Sequence, residues 1–377
     1  MGAMTALAEI TSEVRVPQKI AIVGAGWYGC HIGASLKSLG FDVTVFEQHD
    51  RVLHEASGNN QFRLHLGFHY PRHHRTRIQS RDGFLRFIER YPELSREVPE
   101  NVYAVPKEDS LIDFQTYKLI MTSSGIDFRE VRECSVPMRG IDGILLTSER
   151  VMLIERARHY FEHRLGSSLR LGARVQSIET LPASVQIDGE RFDMLIDATW
   201  GHLVGLPLKM FYETTILLYF ETQDPFPAVT LVDGPLTSVY PTEDPNIYTL
   251  SSVPHTPIAR ASTSAEARSI RDGVGNELVE QKKVAMLEQI SRYLPDFNDR
   301  FRFMGPQLAI KTKPVGAFDD RSCYVYRQGR TISVMSGKID TIFFAMEQII
   351  NILAAADSGA EDNFGSSLRH EIMARRV

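Results

Sequence analysis

The sequence predicts an α/β fold in which a discontinuous parallel-sheet domain is interrupted by a mostly antiparallel β-sheet with helices. Three observations indicate this arrangement. The chain opens with a strand–helix–strand unit, strands typical of the same domain return in the middle and near the end, and strands separated by proline, glycine and aspartate turns lie between them.

A glycine-rich loop joins the first strand to the first helix. The pattern predicts a strand over residues 19–23, a helix over 27–39 and a second strand over 42–46. Between strand and helix, Gly24 permits a tight turn, Gly26 lets the backbone approach a pyrophosphate, and Gly29 lets the helix pack closely on the strand. The N–H groups and the dipole at the helix N-terminus, around Trp27 and Tyr28, favour an anion. These five residues are therefore predicted to hold a dinucleotide in a Rossmann-like domain.

An acid follows at the end of the second strand. Glu47 lies at the spacing where a carboxylate bonds ribose hydroxyls, and Gln48 is predicted beside it at the cofactor. An acid at this place disfavours a 2′-phosphate. The motif by itself leaves NAD and FAD both open.

The later elements place this domain at the beginning, middle and end of the chain. Helices are predicted over 82–90, 110–123, 148–163, 264–293 (with a break near 273–275) and 342–355. Strands are predicted over 174–178, 185–187, 192–196, 210–221, 229–232, 237–240, 247–251, 304–313, 323–326 and 331–335, with a hairpin turn at Asp188-Gly189. The nucleotide-binding domain is therefore assigned to 17–95, 145–205 and 305–356, an inserted substrate domain to 96–144 and 206–304, and a tail to 357–377.

Composition and charge exclude several classes of function. The 377 residues carry a formal net charge of −5, which provides no basic field for nucleic acid or an anionic membrane. No apolar run approaches the roughly 18 residues of a membrane span, and no signal-peptide pattern opens the chain. Cys30, Cys134 and Cys323 lie far apart and lack metal-ligand spacing. We expect a cytoplasmic protein without metal, nucleic-acid or membrane partners, and leave its oligomeric state open.

Four segments resemble the D-amino-acid oxidase/glycine oxidase superfamily of FAD enzymes. They are the glycine loop with Glu47, a polar loop with a His-x-Gly-type stretch at 56–70, the segments 174–178 and 193–201, and the segments 313–321 and 332–341. The family's usual Gly-His-Gly loop near the C-terminus is replaced here by Ser336-Gly337-Lys338. The resemblance implies FAD as the cofactor, lying across the whole domain.

The resemblance also implies cofactor contacts outside the glycine loop. They are Asn59, Asn60, Gln61 and Arg63 along the flavin, Val175, Ala198, Thr199 and Trp200 around the dinucleotide, and Gly337, Lys338, Ile339, Asp340 and Thr341 at the pyrimidine end of the ring. Some relatives attach FAD covalently through a histidine in the polar loop, and His65 stands at the matching place. Covalent and non-covalent attachment both stay open.

The chemistry of a flavin suggests which residues act. Flavin reduction leaves negative charge that a cation stabilises, and Lys338 precedes the last predicted helix. Substrate oxidation needs a base, and histidine suits this role near neutral pH. If the polar loop is extended, Arg63, His65 and His69 share one face, because alternate residues of an extended chain point to the same side. This face fits a small substrate that bears a carboxylate.

Several residues are predicted to bind that carboxylate. They are Arg63, Tyr70, Tyr240, Tyr248 and Arg321, although a tyrosine on a half-buried strand can equally serve packing. The basic run at 72–90 is expected to be a solvated helix face, with a mouth that attracts an acidic substrate as the alternative.

The predicted activity is FAD-dependent oxidation of a C–N bond in a small amino acid or amine by hydride transfer to the flavin. The same machinery could oxidise a 2-hydroxy acid. A flavin-dependent monooxygenase and a sugar-nucleotide mutase are further alternatives.

Overall fold

The computed structural model describes residues 19–316, 321–335 and 337–357. In chain order, its strands are β1 (Lys19–Val23), β2 (Asp42–Phe46), β3 (Arg63–Leu64), β4 (Ser95–Glu97), β5 (Asn101–Pro106), β6 (Arg129–Val131), β7 (Ile141–Leu146), β8 (Arg150–Met152), β9 (Leu169–Arg170), β10 (Ile178–Thr180), β11 (Val185–Ile187), β12 (Glu190–Phe192), β13 (Met194–Asp197), β14 (Met210–Glu221), β15 (Ala228–Leu231), β16 (Thr237–Pro241), β17 (Ile247–Ser252), β18 (Pro257–Ala261), β19 (Arg302–Pro314), β20 (Tyr324–Gln328) and β21 (Thr331–Met335). Its α-helices are α1 (Trp27–Ser38), α2 (His74–Arg90), α3 (Phe114–Ser123), α4 (Ile154–Leu165), α5 (Ser264–Asp272), α6 (Asn276–Ser291), α7 (Phe297–Arg300) and α8 (Ile342–Asp357).

A six-stranded sheet forms the first layer of the fold. Its order is β20-β21-β13-β1-β2-β9, and all neighbours are parallel except the edge pair β20–β21. Ile20 and Ile22 of β1 belong to the core cluster that includes α1, α4 and α8. On the opposite face, Ala21 packs with Val185 and Phe192 of the small antiparallel sheet β10–β12. Burial on both faces explains why the sequence of β1 is a continuous apolar run.

A nine-stranded sheet forms the second layer. Its order is β18-β14-β17-β16-β15-β5-β7-β6, with β19 also paired to β14, and its neighbours are antiparallel except β15–β5. Ile216 and Leu218 of β14 pack against Met286 and Ile290 of α6. The opposite face is polar and meets segment 59–63 of the first domain, where Ser238 donates a hydrogen bond to the Gln61 side chain at 3.0 Å. The candidate site lies along this second face.

The structure confirms the predicted fold class and corrects several elements. The helix predicted over 148–163 begins at Ile154, because Arg150–Met152 pairs with β3 and β4. The strand predicted over 174–178 is absent up to residue 177, since the N–H groups of Gln176 and Ser177 bond to the Asp188 carboxylate. The long helix over 264–293 is split at 273–275, as predicted.

One predicted domain boundary is wrong. β19 pairs with β14 over its whole length, so residues 305–314 belong to the antiparallel sheet and not to the nucleotide-binding domain. The other boundaries stay a prediction. Of the predicted tail, all residues after Asp357 lie outside the described part of the chain. Within the described ranges, no helix has both the length and the apolar character that crossing a bilayer requires.

His31 in α1 makes a testable contribution to acid sensitivity. Its side chain is 3% exposed, and its Nδ1 lies 2.7 Å from the Tyr91 hydroxyl. Burial lowers the pKa of His31 to about 3, with the nearby Arg90 charge acting in the same direction. Between pH 6.5 and 3 the unfolded chain therefore binds a proton here that the folded chain does not, and stability falls as pH falls, by up to about 1.4 kcal/mol per pH unit.

We expect His31→Asn to flatten the pH dependence of the unfolding free energy over this window, measured by urea unfolding. His163→Asn, at an exposed position in α4, is the control. An unchanged slope for His31→Asn would contradict the assignment.

Candidate functional site

The loop at the carboxyl end of β1 makes the turn that the glycine pattern predicts. Gly24 adopts a φ of 95°, and its N–H donates to the Phe46 carbonyl at 2.8 Å. A Cβ added at Gly29 would lie 1.8 Å from the carbonyl oxygen of Gly24, so α1 packs directly on the turn. Helix α1 has no acidic residue in its first turn, which leaves its N-terminal partial positive charge for an anion.

Two side chains complete the rim around this helix N-terminus. The carboxylate oxygens of the buried Glu47 accept hydrogen bonds from the N–H groups of Ala25 at 2.8 Å and His49 at 3.0 Å. The Ser57 hydroxyl accepts from the N–H of Trp27 at 3.1 Å. Hydrogen bonds therefore join the glycine loop, the acid after β2 and the polar loop.

A cavity of about 360 Å³ runs along this rim. Its walls include predicted cofactor residues from three separate parts of the chain, which are Gly24, Gly26, Trp27, Tyr28, Glu47, Gln48, Val175, Ala198, Thr199 and Trp200. The indole N–H of Trp200 is buried without a hydrogen-bond partner among the described residues. The cavity thus offers donors to an anionic ligand that reaches from the glycine loop to Trp200.

A second polar group, the histidine cluster, consists of Arg63, His65, His69, Tyr70 and Lys338. The ring centres of His65 and His69 are 5.8 Å apart, and those of His69 and Tyr70 are 5.2 Å apart. The Nζ atom of Lys338 lies 4.0 Å from the centre of the Tyr70 ring. Arg63 and Lys338 are both buried. The fold brings them together from β3, the loop after it and the turn before α8.

Glu149 supplies a negative charge to this cluster. It is fully buried, and its Oε1 accepts from the N–H of Leu66 at 2.8 Å and lies 3.7 Å from Nδ1 of His65. Its Oε2 accepts from the Tyr103 hydroxyl at 2.7 Å, and that hydroxyl accepts from Arg63 at 3.0 Å. Sequence reasoning missed Glu149 and Tyr103, because neither belongs to a motif and each comes from a different part of the chain.

Burial controls the protonation of the histidine cluster. It lowers the pKa of His65 and of His69 well below the usual 6.5, and neighbouring positive charge lowers both further. Burial also lowers the pKa of the Lys338 amine, against the opposing attraction of Asp340 and Glu149. The two imidazoles are therefore neutral near pH 7 and can accept a proton.

Tyr28 connects the cavity with the histidine cluster. It lines the cavity, and its hydroxyl donates to the carbonyl of Lys338 at 2.6 Å and lies 2.6 Å from Oγ1 of Thr341. On the other side of this turn, a Cβ added at Gly83 of α2 would lie 1.9 Å from the carbonyl oxygen of Asp340. The turn before α8 is therefore held between α1 and α2.

Comparison with known proteins identifies the family. A family model described as DAO, FAD dependent oxidoreductase, matches residues 19–307. The chain belongs to this family. The protein named FAD-dependent monooxygenase FPY4 from Fusarium mangiferae is 60% identical over 89% of this chain and 91% of its own. FAD-dependent monooxygenase kojA from Aspergillus flavus is 28% identical over 90% of this chain and 87% of its own.

Solved structures with the same fold include other DAO-family enzymes. Glycine oxidase from Geobacillus kaustophilus superposes with a TM-score of 0.68 at 14% identity, and the match covers 89% of this chain and 94% of that one. Iminodiacetate oxidase from Chelativorans has a TM-score of 0.65 at 13% identity, over 92% and 96% of the two chains. The predictions of the superfamily, of FAD as cofactor and of an oxidoreductase are confirmed.

The residues of this DAO-family chain fit FAD. The glycine loop and the N-terminus of α1 suit a diphosphate, Glu47 suits ribose hydroxyls, and the buried Trp200 N–H offers a further donor. Gly29 does not line the cavity, but it allows α1 to pack closely on the turn at Gly24.

The side chains of three residues predicted to contact the flavin form hydrogen bonds to other protein groups. The Asn59 amide donates to the carbonyls of His54 and Glu55 at 2.7 and 2.9 Å. Asn60 donates to the carbonyl of Ala56 at 2.9 Å, and Gln61 bonds to Ser238. These amides close the polar loop on itself and attach it to the second sheet, and the predicted contact of this segment with the flavin stays a prediction.

Of the three predicted substrate tyrosines, the two on the second sheet lie on opposite faces of it. Tyr240 is buried beneath Arg63, whose guanidinium carbon lies 4.1 Å from the ring centre. Tyr248 faces the other core, where its hydroxyl donates to the Phe226 carbonyl at 2.6 Å and its ring packs on Phe301. The predicted substrate role of Tyr248 is therefore wrong.

The segment before α8 packs beside Arg321, and its predicted contact with the flavin stays a prediction. A Cβ added at Gly337 would lie 2.6 Å from Cδ of Arg321, so Arg321 lies beside the turn that carries Lys338. Ile339 packs against the main core, and Asp340 and Thr341 are buried. Ser336 lies outside the described residues.

Several cavity residues escaped sequence reasoning. They are His54, Glu55, Ala173, His202, Leu203, Arg268 and Ile310. Proximity to the segments 56–70 and 174–178 could have indicated His54, Glu55 and Ala173. No sequence signal indicated Arg268, because it lies in α5 of the second domain, far along the chain from the glycine loop.

Several arginines of the basic run at 72–90 bond to other parts of the protein, and do not simply form a solvated helix face. Arg72 pairs with Asp233, Arg86 pairs with Glu347 at 2.6 Å, and Arg77 donates to the carbonyls of Tyr70 and Pro71. Arg77 is buried, which also departs from the expected solvated face. Among the described residues, no group of three or more His, Cys, Asp or Glu side chains could hold a metal ion.

Proposed function

We propose that this FAD-dependent oxidoreductase oxidises a carbon that bears an amino or hydroxyl group in a small, carboxylate-bearing substrate. Amino acids and amines are the first class to test and 2-hydroxy acids the second. The observation that carries the proposal is the histidine cluster, in which two buried imidazoles of lowered pKa lie with Arg63 and Lys338 under a polar sheet face.

Each member of the cluster has a role that follows from its surroundings. Bound FAD supplies the acceptor for a hydride. His65 or His69 takes the proton from the substrate N–H or O–H group, and Glu149, 3.7 Å from Nδ1 of His65, stabilises the imidazolium that forms. Arg63 has buried Nε and Nη2 atoms without partners among the described residues, which suits bidentate binding of a carboxylate. Burial lowers the pKa of the Lys338 amine to about 7, and in its protonated form this amine adds positive charge where negative charge develops.

Monooxygenation is the second candidate. It is supported by the printed names of FPY4 and kojA, of which the first is 60% identical to this chain. Such a reaction would need a separate reductant for the flavin. In the first proposal the substrate itself reduces the flavin, and an external electron acceptor then reoxidises it.

The two candidates differ in what bleaches the flavin. Under anaerobic conditions, we expect at least one amino acid, amine or 2-hydroxy acid to bleach the flavin absorbance of the holoenzyme. We expect the matching compound without its carboxylate to react more slowly, because Arg63 then lacks its partner. Bleaching by NADH or NADPH alone would refute the proposal and favour monooxygenation.

The pH dependence of turnover offers a further test. Because burial lowers the pKa of both histidines below 6.5, the base stays neutral down to that pH. We expect log kcat/KM to show no loss from a protonated base between pH 8 and 6.5 and to fall at lower pH. A loss of activity towards acid pH with a midpoint above pH 7 would contradict the assignment of the base to His65 or His69.

A further inference from the structure

Arg268 reaches the FAD cavity from the second domain. It belongs to α5, which packs against β14 and β18 of the nine-stranded sheet. Its side chain nevertheless lines the same cavity as Gly24, Gly26 and Trp200. A guanidinium thus shares one cavity with the N-terminus of α1, although nothing in the glycine motif requires it.

A short relay orients this guanidinium. An Nη1–H of Arg268 donates to Nδ1 of His202 over 3.4 Å, and Nε2 of His202 lies 3.3 Å from the hydroxyl of Thr312. Burial lowers the pKa of His202 to about 4, and the Arg268 charge contributes, so the imidazole is neutral and Nδ1 can accept. Arg268 makes no ion pair with any described acid, and its positive charge is therefore left for a ligand.

A neighbouring ion pair fixes α5 at the mouth of the cavity. Arg271, one turn after Arg268, lies 2.9 Å from Oε2 of Glu55 in the polar loop of the first domain. The other oxygen of Glu55 lies 3.0 Å from Nε2 of His49. This acid is already paired, and it anchors α5 rather than competing for Arg268.

We propose that Arg268 clamps the diphosphate of FAD from the side opposite the glycine loop, and that the Arg271–Glu55 pair holds α5 in place for this contact. The diphosphate is the anion that belongs at the N-terminus of α1. Arg268 is the cation that faces the same cavity from the other domain. The clamp would couple cofactor binding to the position of the second domain.

The test compares FAD affinity in full-length variants. We expect Arg268→Gln to raise the FAD dissociation constant of the holoenzyme about tenfold or more, measured from FAD fluorescence after dilution and equilibration. The FAD dissociation constant of Arg268→Lys, which keeps the positive charge, should lie between those of the wild type and Arg268→Gln. Arg271→Gln should weaken binding less, and should have little further effect when Arg268 is already glutamine. Arg292→Gln, an exposed arginine outside both sites, provides the same charge change as a control.

A displacement experiment separates a diphosphate contact from a general loss of structure. In the wild type, ADP should displace FAD more strongly than adenosine does, because only ADP carries the diphosphate. In Arg268→Gln this advantage should shrink, while displacement by adenosine stays the same. An FAD dissociation constant within twofold of wild type, or an unchanged advantage of ADP, would overturn the proposal.

Discussion

Replacing Gly29 by alanine is expected to remove FAD from the protein. The added Cβ would lie 1.8 Å from the carbonyl oxygen of Gly24 and 2.9 Å from its carbonyl carbon. Both atoms are backbone, so no side-chain rotation relieves the clash, and α1 must move away from the turn. We expect a cost of about 3 kcal/mol in folding stability, the upper end of usual overpacking, and at least a hundredfold weaker FAD binding.

The measurements are the flavin-to-protein absorbance ratio after purification and the midpoint of urea unfolding. Gly205→Ala is the matched control, because a Cβ at Gly205 meets no heavy atom within 4 Å. A yellow Gly29→Ala protein with wild-type flavin content would contradict the packing argument.

Replacing His65 by asparagine is expected to have the largest effect on catalysis. Asparagine cannot take up a proton near neutral pH, and the loss of a general base typically lowers the rate by about 10² to 10⁴. The Glu149 carboxylate, 3.7 Å from the imidazole, would then have no imidazolium to stabilise. The FAD cavity is lined by other residues, so flavin content should persist.

The measurement is the anaerobic rate constant of flavin bleaching by the substrate found above. His159→Asn is a suitable control, since this exposed histidine of α4 bonds to the Glu155 carbonyl of its own helix at 2.7 Å and to no other part of the described chain. If His65→Asn reduced the rate less than tenfold, His69 would have to be the base. A loss of rate in both His65→Asn and His69→Asn, at full flavin content, would indicate that the two histidines act as a unit.

Residues in local motifs could be predicted because their geometry depends on a few neighbouring positions. Gly24 and Gly26 lie between a strand and a helix, Gly29 lies at a fixed spacing in the first turn of that helix, and Glu47 follows at the end of the next strand. The structure places all four as the pattern predicts, at the carboxyl ends of β1 and β2. Parallel strands bring these ends to one edge of the sheet, so the dinucleotide cavity was within reach of sequence reasoning.

The surroundings of the histidine cluster depend on contacts between distant segments. Arg63, Glu149 and Lys338 meet only after three parts of the chain fold together. The low pKa of the histidines arises from burial, which no local pattern reveals. Arg268 likewise reaches the cavity because α5 docks across the domains.

The sequence by itself determined the α/β class, the glycine loop with its acid, and the family, because these rest on short-range patterns. Only the tertiary structure decided between Tyr240 and Tyr248. In the register of β16 and β17, Tyr240 pairs with Thr249, so Tyr248 is one residue out of phase and points to the other face. Side chains alternate along a strand, and a shift of one residue therefore moves a tyrosine from the face beneath Arg63 to the opposite face of the sheet.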